Sequence, residues 1–479
     1  MILYFIRLLI VNLLITLSTV IPQRTYSIGY IGQPASFLPH EAQTDSEKAV
    51  SDVVFRKLFK YEEGKLVNDL VDKYEISEDE TEYRIALKDN IKWQDGQPIT
   101  SDDILYSLTL YENFRNEIDV EKTSEKEVTL KLPTPTGILP SLLTIGLEPA
   151  HIPRNNRLKP IGSSSYRIAR IIRERNYVQG VILQSLQKNK QYSRIAYRFY
   201  TSDNELKTAY KLGEIAAFLS NSEFIWPSVQ MKKTTYLGRY FVVIFNTPNQ
   251  PLDDPEIRAV LGKSLDIRGF LKENNYYSNS LPAEGPISYY PVEENGIPAY
   301  TIFPFLTDSY DKDTKLNTLQ KGLLTKLDIL LPNNQDGRQI AVLLEEGWEK
   351  QLGITLNIQY LELNELLDKA REGTFDALFI GHEVSPDPDR YLFWHSTQIG
   401  DLNLGRFKDL RADTALEEGR LTVETEERIK HYNIFQDVIY TKTPAVFIYH
   451  PGQYFYFSSD YPITLPEKIY YPSEITKNL

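Results

Sequence analysis

The alternation of apolar and polar residues predicts a strand followed by a helix within residues 83–108. Over residues 83–88 large apolar residues alternate with polar ones, the period of a half-buried strand. Asp95-Gly96 is a tight-turn dipeptide. Residues 100–101 can cap a helix whose first turn carries carboxylates and whose apolar residues recur at helical spacing. We interpret this strand–turn–helix unit as structural, because nothing in it is typical of a catalytic site.

Periodicity predicts a mixture of strands and helices along the rest of the chain. Strands are predicted at residues 26–32, 127–132, 197–200, 240–246, 354–360, 375–380 and 444–449. Helices are predicted at 46–59, 205–212, 255–265, 336–352 and 363–371, with a helix pair over 415–440. From residue 336 onward helices and strands alternate, which indicates an α/β lobe.

Composition and charge narrow the class of protein. The chain has 479 residues, enough for two or three domains. With 42% hydrophobic and 25% charged residues it resembles an ordinary globular protein. A net charge of −12 argues against nucleic-acid binding, which needs clustered Lys and Arg. The absence of cysteine excludes disulfides, cysteine nucleophiles and thiolate metal sites.

The amino-terminal segment 1–24 has the pattern of a signal or transmembrane anchor. Residues 2–21 form an apolar run interrupted only by Arg7 and Asn12, just long enough to span a bilayer. The part from residue 8 to 21 also matches the apolar region of a signal peptide. Because no A-x-A site precedes Pro22, we expect an uncleaved helix that holds an exported protein at the outer face of the membrane. If the segment is cleaved, the protein would be periplasmic.

The densest group of polar and aromatic residues lies at 385–396. Asp387 and Asp389 could serve as an acid–base pair or bind a metal, but a D-P-D loop does not fix a shared geometry. The same residues could instead stabilise a turn. His395 stands beside Trp394 without a second histidine at ligand spacing, which favours a packed, hydrogen-bonded ring over a metal ligand.

Short catalytic motifs do not point to an enzyme. The chain contains no G-x-x-x-x-G-K-[ST], H-E-x-x-H or G-x-S-x-G, so nucleotide hydrolysis, zinc proteolysis and serine hydrolysis have no support. We therefore expect a protein without catalytic activity. An extracellular hydrolase that uses Asp387 and Asp389 remains the alternative from another class.

Two long segments resemble one known family. Residues 91–105, IKWQDGQPITSDDIL, resemble the signature of the family 5 extracellular solute-binding proteins, the peptide- and nickel-binding components of bacterial ABC importers. The segment from Asn246 to Asp266 resembles a second family element, in which an Asp-Pro pair opens a helix that ends at an aspartate. The resemblance covers nearly the whole chain after residue 25. The absence of cysteine departs from the lipid-anchored members of the family.

The resemblance implies a two-lobed α/β fold, periplasmic-binding-protein-like and of type II, with an extra small domain inserted in the first lobe. Lobe I would comprise residues 25–45, 160–250 and 450–479. The inserted domain II would comprise residues 46–159, and lobe III residues 251–449. The crossings between lobes would act as a hinge, and ligand contacts to both lobes would favour the closed state.

The resemblance also implies that the chain captures extracellular peptides in the interlobe cleft and delivers them to ABC permease subunits. No cofactor and no nucleic acid are expected, and the protein should be a monomer. In the family an acidic residue near the D-P-D segment pairs with the peptide amine; Glu383 is the nearest candidate, with Asp387 as its substitute. The predicted ligand contacts are Glu383, Asp387, Asp389, Trp394, His395, Asn246, Tyr30 and Tyr449. The alternatives on the same fold are binding of a nickel chelate or an oligosaccharide, and a sensor or adhesion module without transport.

Overall fold

The computed structural model describes nearly all of the chain beyond the amino-terminal segment. The described residues are 25–62, 65–111, 114, 118–187, 191–227, 229–277, 279–287, 309–459 and 467–475. No helix within them is long and apolar enough to cross a membrane. The predicted signal or anchor at 1–24 lies outside the described residues.

The described residues form twenty strands. In chain order they are β1 (Thr25–Ile31), β2 (Phe59–Glu62), β3 (Lys65–Asn68), β4 (Val71–Ile76), β5 (Glu82–Leu87), β6 (Asp119–Ser124), β7 (Glu127–Lys131), β8 (Tyr166–Glu174), β9 (Tyr177–Ser185), β10 (Arg194–Tyr200), β11 (Ala217–Ser220), β12 (Met231–Tyr236), β13 (Arg239–Phe245), β14 (Leu281–Pro282), β15 (Lys326–Pro332), β16 (Thr355–Leu361), β17 (Ala377–Glu383), β18 (Ala445–His450), β19 (Gly452–Phe457) and β20 (Lys468–Ile469). Each of the eight strands predicted from periodicity is confirmed within a few residues, whereas the other twelve, among them β12, β15, β19 and the β8–β9 hairpin, were not predicted.

Twelve α-helices lie in the same described part of the chain. They are α1 (Asp45–Val54), α2 (Ser101–Leu110), α3 (Leu139–Leu142), α4 (Asp203–Lys211), α5 (Pro255–Lys263), α6 (Ile267–Glu273), α7 (Thr318–Leu323), α8 (Gln335–Leu344), α9 (Leu363–Glu372), α10 (Tyr391–Trp394), α11 (Leu410–Leu421) and α12 (Thr425–Lys442). A π-helical turn, Glu345–Gln351, continues α8. The prediction of a helix over 46–59 was wrong at its end, because α1 stops at Val54.

Two large sheets define two lobes. The first has eight strands in the order β20-β12-β19-β11-β1-β10-β9-β8, and the second has six in the order β14-β18-β13-β17-β15-β16. Both sheets are mixed: β1 runs parallel to β10 and β11, and β15 runs parallel to β16 and β17. A four-stranded sheet, β4-β5-β7-β6, and the β2–β3 hairpin belong to the stretch inserted between β1 and β8. The α/β class is as predicted, and the first sheet draws its strands from separate segments of the chain.

The chain passes directly between the two sheets at two points that lie side by side. Strand β12 of the first sheet leads into β13 of the second through Leu237-Gly238, and β18 returns to β19 through Pro451. The backbone N–H of Tyr236, at the end of β12, donates to the carbonyl oxygen of Pro451 at 2.9 Å, so the two crossings are in direct contact. The predicted boundary at residue 250 is therefore wrong: β13 already belongs to the second lobe.

The Trp93 signature has a structural role, as the sequence suggested. Trp93 is buried, and its indole Nε1 donates to the Asp103 carboxylate at 3.1 Å. The same carboxylate accepts the backbone N–H groups of Thr100 at 2.8 Å and Ala150 at 2.8 Å. Asp103 thus fixes the start of α2 against the preceding turn and against the segment near residue 150.

Candidate functional site

A cavity of about 350 Å³ lies between the two lobes. Helix α1 supplies one wall, the end of β17 supplies the opposite wall, and Tyr236, Tyr470 and Tyr471 lie nearby. Its volume is at the lower end of the range of about 300–1,000 Å³ typical of ligand sites. Residues from both lobes line it, so a ligand here would contact both.

This cavity continues into a wider depression of about 1,200 Å³. The two spaces share the lining residues Asp52, Phe55, Lys57, Thr144 and Tyr471. The depression extends along α1 past the β2–β3 hairpin to residues 163–165. Together the two spaces form an elongated cleft that can accept a ligand longer than the small cavity alone.

A network of four charged side chains crosses the cleft at the inner end of this cavity. Lys48 on α1 donates to Glu383 at 2.9 Å, and Arg239 donates to the other oxygen of Glu383 at 3.0 Å. Arg239 also lies 3.4 Å from Asp45 on α1. Because α1 packs on the first lobe, whereas β13 and β17 belong to the second, this network ties the two lobes together.

Glu383 is charged and already paired. Partial burial by itself raises the pKa of this carboxyl, but the charges of Lys48 and Arg239 and their hydrogen bonds outweigh burial and lower the pKa below its usual range. The side chain remains 44% exposed, so water screens these pairs. Glu383 therefore lies in the cleft as predicted, but a ligand amine would have to share or displace its two partners.

We expect the contribution of Glu383 to the free energy of unfolding to disappear in acid. Its pKa is lowered on folding, so the contribution is present above the unfolded value of about 4.3 and is lost as the pH falls through the lower folded value. Glu383→Gln should cost no more than about 1 kcal/mol at pH 7 because the pairs are solvent-screened. Urea denaturation of both proteins from pH 7 to pH 3.5 measures this difference. Glu365→Gln, on the exposed face of α9, is the control, and a pH-independent loss in Glu383→Gln would contradict the assignment to charge.

Asp387 and Asp389 form ion pairs within the second lobe. The two carboxylate oxygens of Asp387 accept hydrogen bonds from the guanidinium of Arg428 of α12, at 3.1 and 3.0 Å. Asp389 pairs with Arg420 of α11, whose Nε and Nη2 donate at 3.0 and 2.7 Å. Neither side chain lines the cleft cavities. The structure therefore holds both aspartates in ion pairs within the second lobe, away from the two cavities where it was predicted that they contact a ligand.

Trp394 and His395 are packed inside the second lobe. Trp394 is buried against Phe407 and Phe447. The buried His395 ring stacks on Tyr391, and its Nδ1 and Nε2 lie 2.8 Å from Thr397 Oγ1 and 3.0 Å from Glu417. Among the described residues no group of three or more His, Asp or Glu side chains is arranged to hold a metal ion. Packing is thus the role that the structure gives both residues.

The other three predicted contacts are divided between core and cleft. Tyr30 is buried in the core of the first lobe and stacks on Tyr197. Asn246 is buried at the end of β13 and donates to the carbonyl oxygens of Gly373 and Phe375, both at 2.9 Å. Tyr449, at the end of β18, lines a small second cavity between the lobes. Of the eight predicted residues, the structure thus places Glu383 and Tyr449 against interlobe cavities.

The basic residues of the cleft were missed from the sequence. Lys48 lies one helical turn after the cap of α1, and Arg239 is the first residue of β13. Neither belongs to a short motif, and each is a common surface residue. The only hint in the sequence was their predicted place next to the crevice of an α/β fold, where ligands bind: Lys48 near the start of a helix and Arg239 at the end of a strand.

Two sheets joined by adjacent crossings, with a cavity between them, define a two-lobed solute-binding protein of the periplasmic-binding-protein type. Residues 65–401 match the family model described as bacterial extracellular solute-binding proteins, family 5. The chain belongs to this family.

Comparisons with individual proteins agree with this assignment. The chain is 24% identical to the oligopeptide-binding protein AppA of Bacillus subtilis, with 89% of this chain and 86% of AppA covered. The structure of that AppA with a nonapeptide superposes with a TM-score of 0.70 at 21% identity, over 95% of this chain and 97% of AppA. NikZ of Campylobacter jejuni, in complex with Ni(L-His), gives a TM-score of 0.71 at 23% identity, over 92% and 95% of the two chains. These structural similarities establish the two-lobed fold across nearly the whole chain.

Proposed function

We propose that this chain captures short peptides in the interlobe cleft and delivers them to the permease subunits of an ABC importer. The observation that carries the proposal is the cavity lined by both lobes, which opens into a wider depression along the first lobe and the inserted domain, in a member of a solute-binding family whose relative AppA is an oligopeptide-binding protein. The peptide would bind in an extended form through its backbone. The energy for transport would come from an ATPase on a separate chain.

Ligand contacts to both lobes explain how binding would be signalled to the permease. The crossings at Leu237-Gly238 and at Pro451 lie next to one another and can act as a hinge. A ligand that contacts α1 on one side and the end of β17 on the other favours the closed arrangement of the lobes. The size of this preference is the free energy of the contacts that the ligand makes only in the closed arrangement. The closed pair of lobes would then form the surface that the permease recognises.

In the proposed function the protein catalyses no covalent reaction. The aspartates of the D-P-D loop, the strongest candidates for an acid–base pair, are held by Arg428 and Arg420. Repurified protein incubated with a peptide mixture should release no new amino termini. Hydrolysis that persists through repurification and is lost in Asp389→Asn would instead support the hydrolase alternative.

Mass spectrometry of the small molecules released by denaturing residues 25–479 after purification tests the ligand class. We expect a set of short peptides, and their lengths would show how many residues the cleft holds. A nickel chelate or a sugar would replace the peptide proposal with another ligand on the same fold. An empty protein that no peptide library stabilises against heat would favour a sensor or scaffold.

We also propose that the chain works outside the cytoplasm as a monomer tethered by segment 1–24. Family membership supports an extracellular location, and the apolar run of residues 2–21 supports the tether. In cell fractionation the full chain should stay with membranes after a carbonate wash, whereas residues 25–479 should be released. Release of the full chain, with a shortened amino terminus, would indicate cleavage instead.

A further inference from the structure

A second, smaller cavity of about 80 Å³ lies between the lobes on the other side of Arg239. Asp45 of α1 and residues 451–453 contribute from the first-lobe side, and Phe241, Asp336 and Tyr449 contribute from the second lobe. Since Glu383 and Lys48 of the charged network line the main cavity and Arg239 and Asp45 line this one, the small cavity lies on the far side of that network from the main cavity. It is far below the volume of about 300 Å³ of a complete ligand site, so it suits one end group of a larger ligand.

The most distinctive group in this cavity is the carboxylate of Asp336, in the first turn of α8. Its Oδ1 accepts hydrogen bonds from the hydroxyls of Tyr277 and Tyr449, both at 2.7 Å. Burial raises the pKa of Asp336, and the two tyrosine hydroxyls oppose this effect without cancelling it. Within the part of the chain that the structure describes, no Lys, Arg or His forms an ion pair with it. Asp336 is thus a partly buried carboxyl group whose side-chain hydrogen-bond partners among the described residues are the two tyrosine hydroxyls.

Arg239 does not supply a counter-charge to Asp336. Its guanidinium faces Glu383 at 3.0 Å and Asp45 at 3.4 Å. Glu383 is in turn shared with Lys48. In this group the positive charges of Arg239 and Lys48 are matched by the negative charges of Glu383 and Asp45. The carboxylate of Asp336 therefore remains as the unmatched charge of the cavity.

Aromatic rings form the wall beside this carboxylate. The rings of Phe241 and Tyr449 stack with centroids 4.8 Å apart, and the Tyr277 ring lies 4.8 Å from Tyr449. Tyr276 packs edge-on against Tyr277 at the same separation of 4.8 Å. Aromatic rings around a carboxylate leave little room for water, so a cation brought next to it gains a charge-assisted contact, whereas an anionic end group would be repelled.

We propose that the small cavity is a subsite for a cationic end group, an ammonium or a guanidinium, of the bound ligand. Asp336 would supply the counter-charge, and Phe241, Tyr277 and Tyr449 the aromatic walls. The inference rests on the proposed peptide function, and it deepens that function by specifying the ligand: peptides with a lysine or arginine side chain at this position. Because the ion pairs of the charged network lie between the two cavities, a ligand that fills both cavities must part some of these pairs.

Calorimetric titration with two acetylated tripeptides tests the subsite. Ac-Ala-Lys-Ala and Ac-Ala-Nle-Ala differ in charge but little in shape, and acetylation removes the competing terminal amine. Wild-type protein should bind the lysine peptide about tenfold or more tightly, because a charge-assisted contact is lost with norleucine. Asp336→Asn keeps acceptors for both tyrosines and should bind the two peptides equally. Asp368→Asn, a carboxylate on the exposed face of α9, is the matched control and should keep the wild-type preference.

The outcomes of these titrations separate failure of the subsite from failure of peptide capture. Equal binding of the two peptides by wild-type protein, or an undiminished preference in Asp336→Asn, would overturn the subsite while leaving peptide capture intact. If neither peptide binds, the proposed function fails for these peptides, and the subsite is judged with methylguanidinium chloride alone. That salt should raise the Tm of wild-type protein above the value in sodium chloride at equal ionic strength, and should not do so in Asp336→Asn. Equal Tm values in the two salts for both proteins would overturn the subsite.

Discussion

Asp387→Ala should lower the free energy of unfolding by about 3–5 kcal/mol, the usual cost of removing one partner of a buried ion pair. Asp387 and Arg428 are 10% and 12% exposed and are joined through two oxygen–nitrogen contacts. The substitution would leave the guanidinium of Arg428 buried without its carboxylate. Urea denaturation followed by circular dichroism measures the change.

Two further variants separate the buried pair from a general effect of losing a carboxylate. Asp368→Ala removes a 73% exposed aspartate that lies 3.6 Å from Arg371, and it should cost less than about 1 kcal/mol. Asp387→Ala combined with Arg428→Met removes both charges and should recover part of the lost stability, because no unpaired charge remains. A double variant as unstable as the single one would show that the pair itself is not the cause.

The same variants test the function of the D-P-D loop. Because Asp387 is held by α12 and does not line the cleft, peptide affinity should stay within about threefold of wild type at temperatures where the variant is folded. If Asp387→Ala kept its stability but lost peptide binding, the aspartate would be a ligand contact. The structural role described above would then be wrong.

Elements with a regular apolar face could be predicted from the sequence. Strand β13 is a continuous apolar run buried between β17 and β18, and α5 begins with Pro255 after the Asp254 cap. The β8–β9 hairpin could not be predicted in the same way. Its register shifts between Ile168 and Arg170, and again between Ile172 and Arg173, so the period of two is interrupted twice.

The end of α1 depends on contacts that are distant in sequence. The apolar spacing continues to Leu58, but the chain leaves the helix after Val54. Arg56 then pairs with Asp69 at 2.8 Å, and the N–H of Lys57 donates to the same carboxylate at 3.0 Å. These tertiary contacts draw the chain into β2, and helical periodicity carries no information about them.

The site was harder to predict than the fold because its charges come together only in three dimensions. Lys48 and Glu383 are 335 positions apart, and Tyr449 and Asp336 are 113 positions apart. Ligand contacts were predicted in the D-P-D segment because its polar residues lie close together along the chain. Adjacent carboxylates in a loop are more often committed to turns and ion pairs than to a ligand, and Asp387 and Asp389 follow that rule.

The ion pairs of the D-P-D loop also shape the surface on which the lobes meet. Asp389 holds the Arg420 side chain, which in turn lies over the Tyr391 ring at 3.9 Å. The backbone carbonyl of Arg420 accepts a hydrogen bond from the N–H of Gly137 at 2.7 Å. Gly137 belongs to the segment after β7 of the inserted domain. Through Arg420 the loop is therefore linked to a contact between the second lobe and the inserted domain.

Gly137→Ala should weaken peptide binding by disfavouring the closed arrangement. A Cβ at this position would lie 1.9 Å from the carbonyl oxygen of Thr422, so the inserted domain and the α11–α12 connection must move apart. Overpacking of this kind costs about 1–3 kcal/mol. If the whole cost falls on the closed state, peptide affinity drops about 5- to 150-fold. Titration calorimetry measures the affinity, and small-angle X-ray scattering should show a larger radius of gyration than for wild-type protein.

The control is Gly322→Ala in α7, where a Cβ would meet nothing within 4 Å. It should leave both peptide affinity and the radius of gyration unchanged. Because the contact at Gly137 joins the inserted domain to the second lobe, its loss should cost affinity without a comparable loss in the stability of either lobe. Wild-type affinity in Gly137→Ala would mean that ligand capture does not require this contact. Lowered affinity together with an unchanged radius of gyration would mean that Gly137→Ala disturbs local structure and does not change lobe closure.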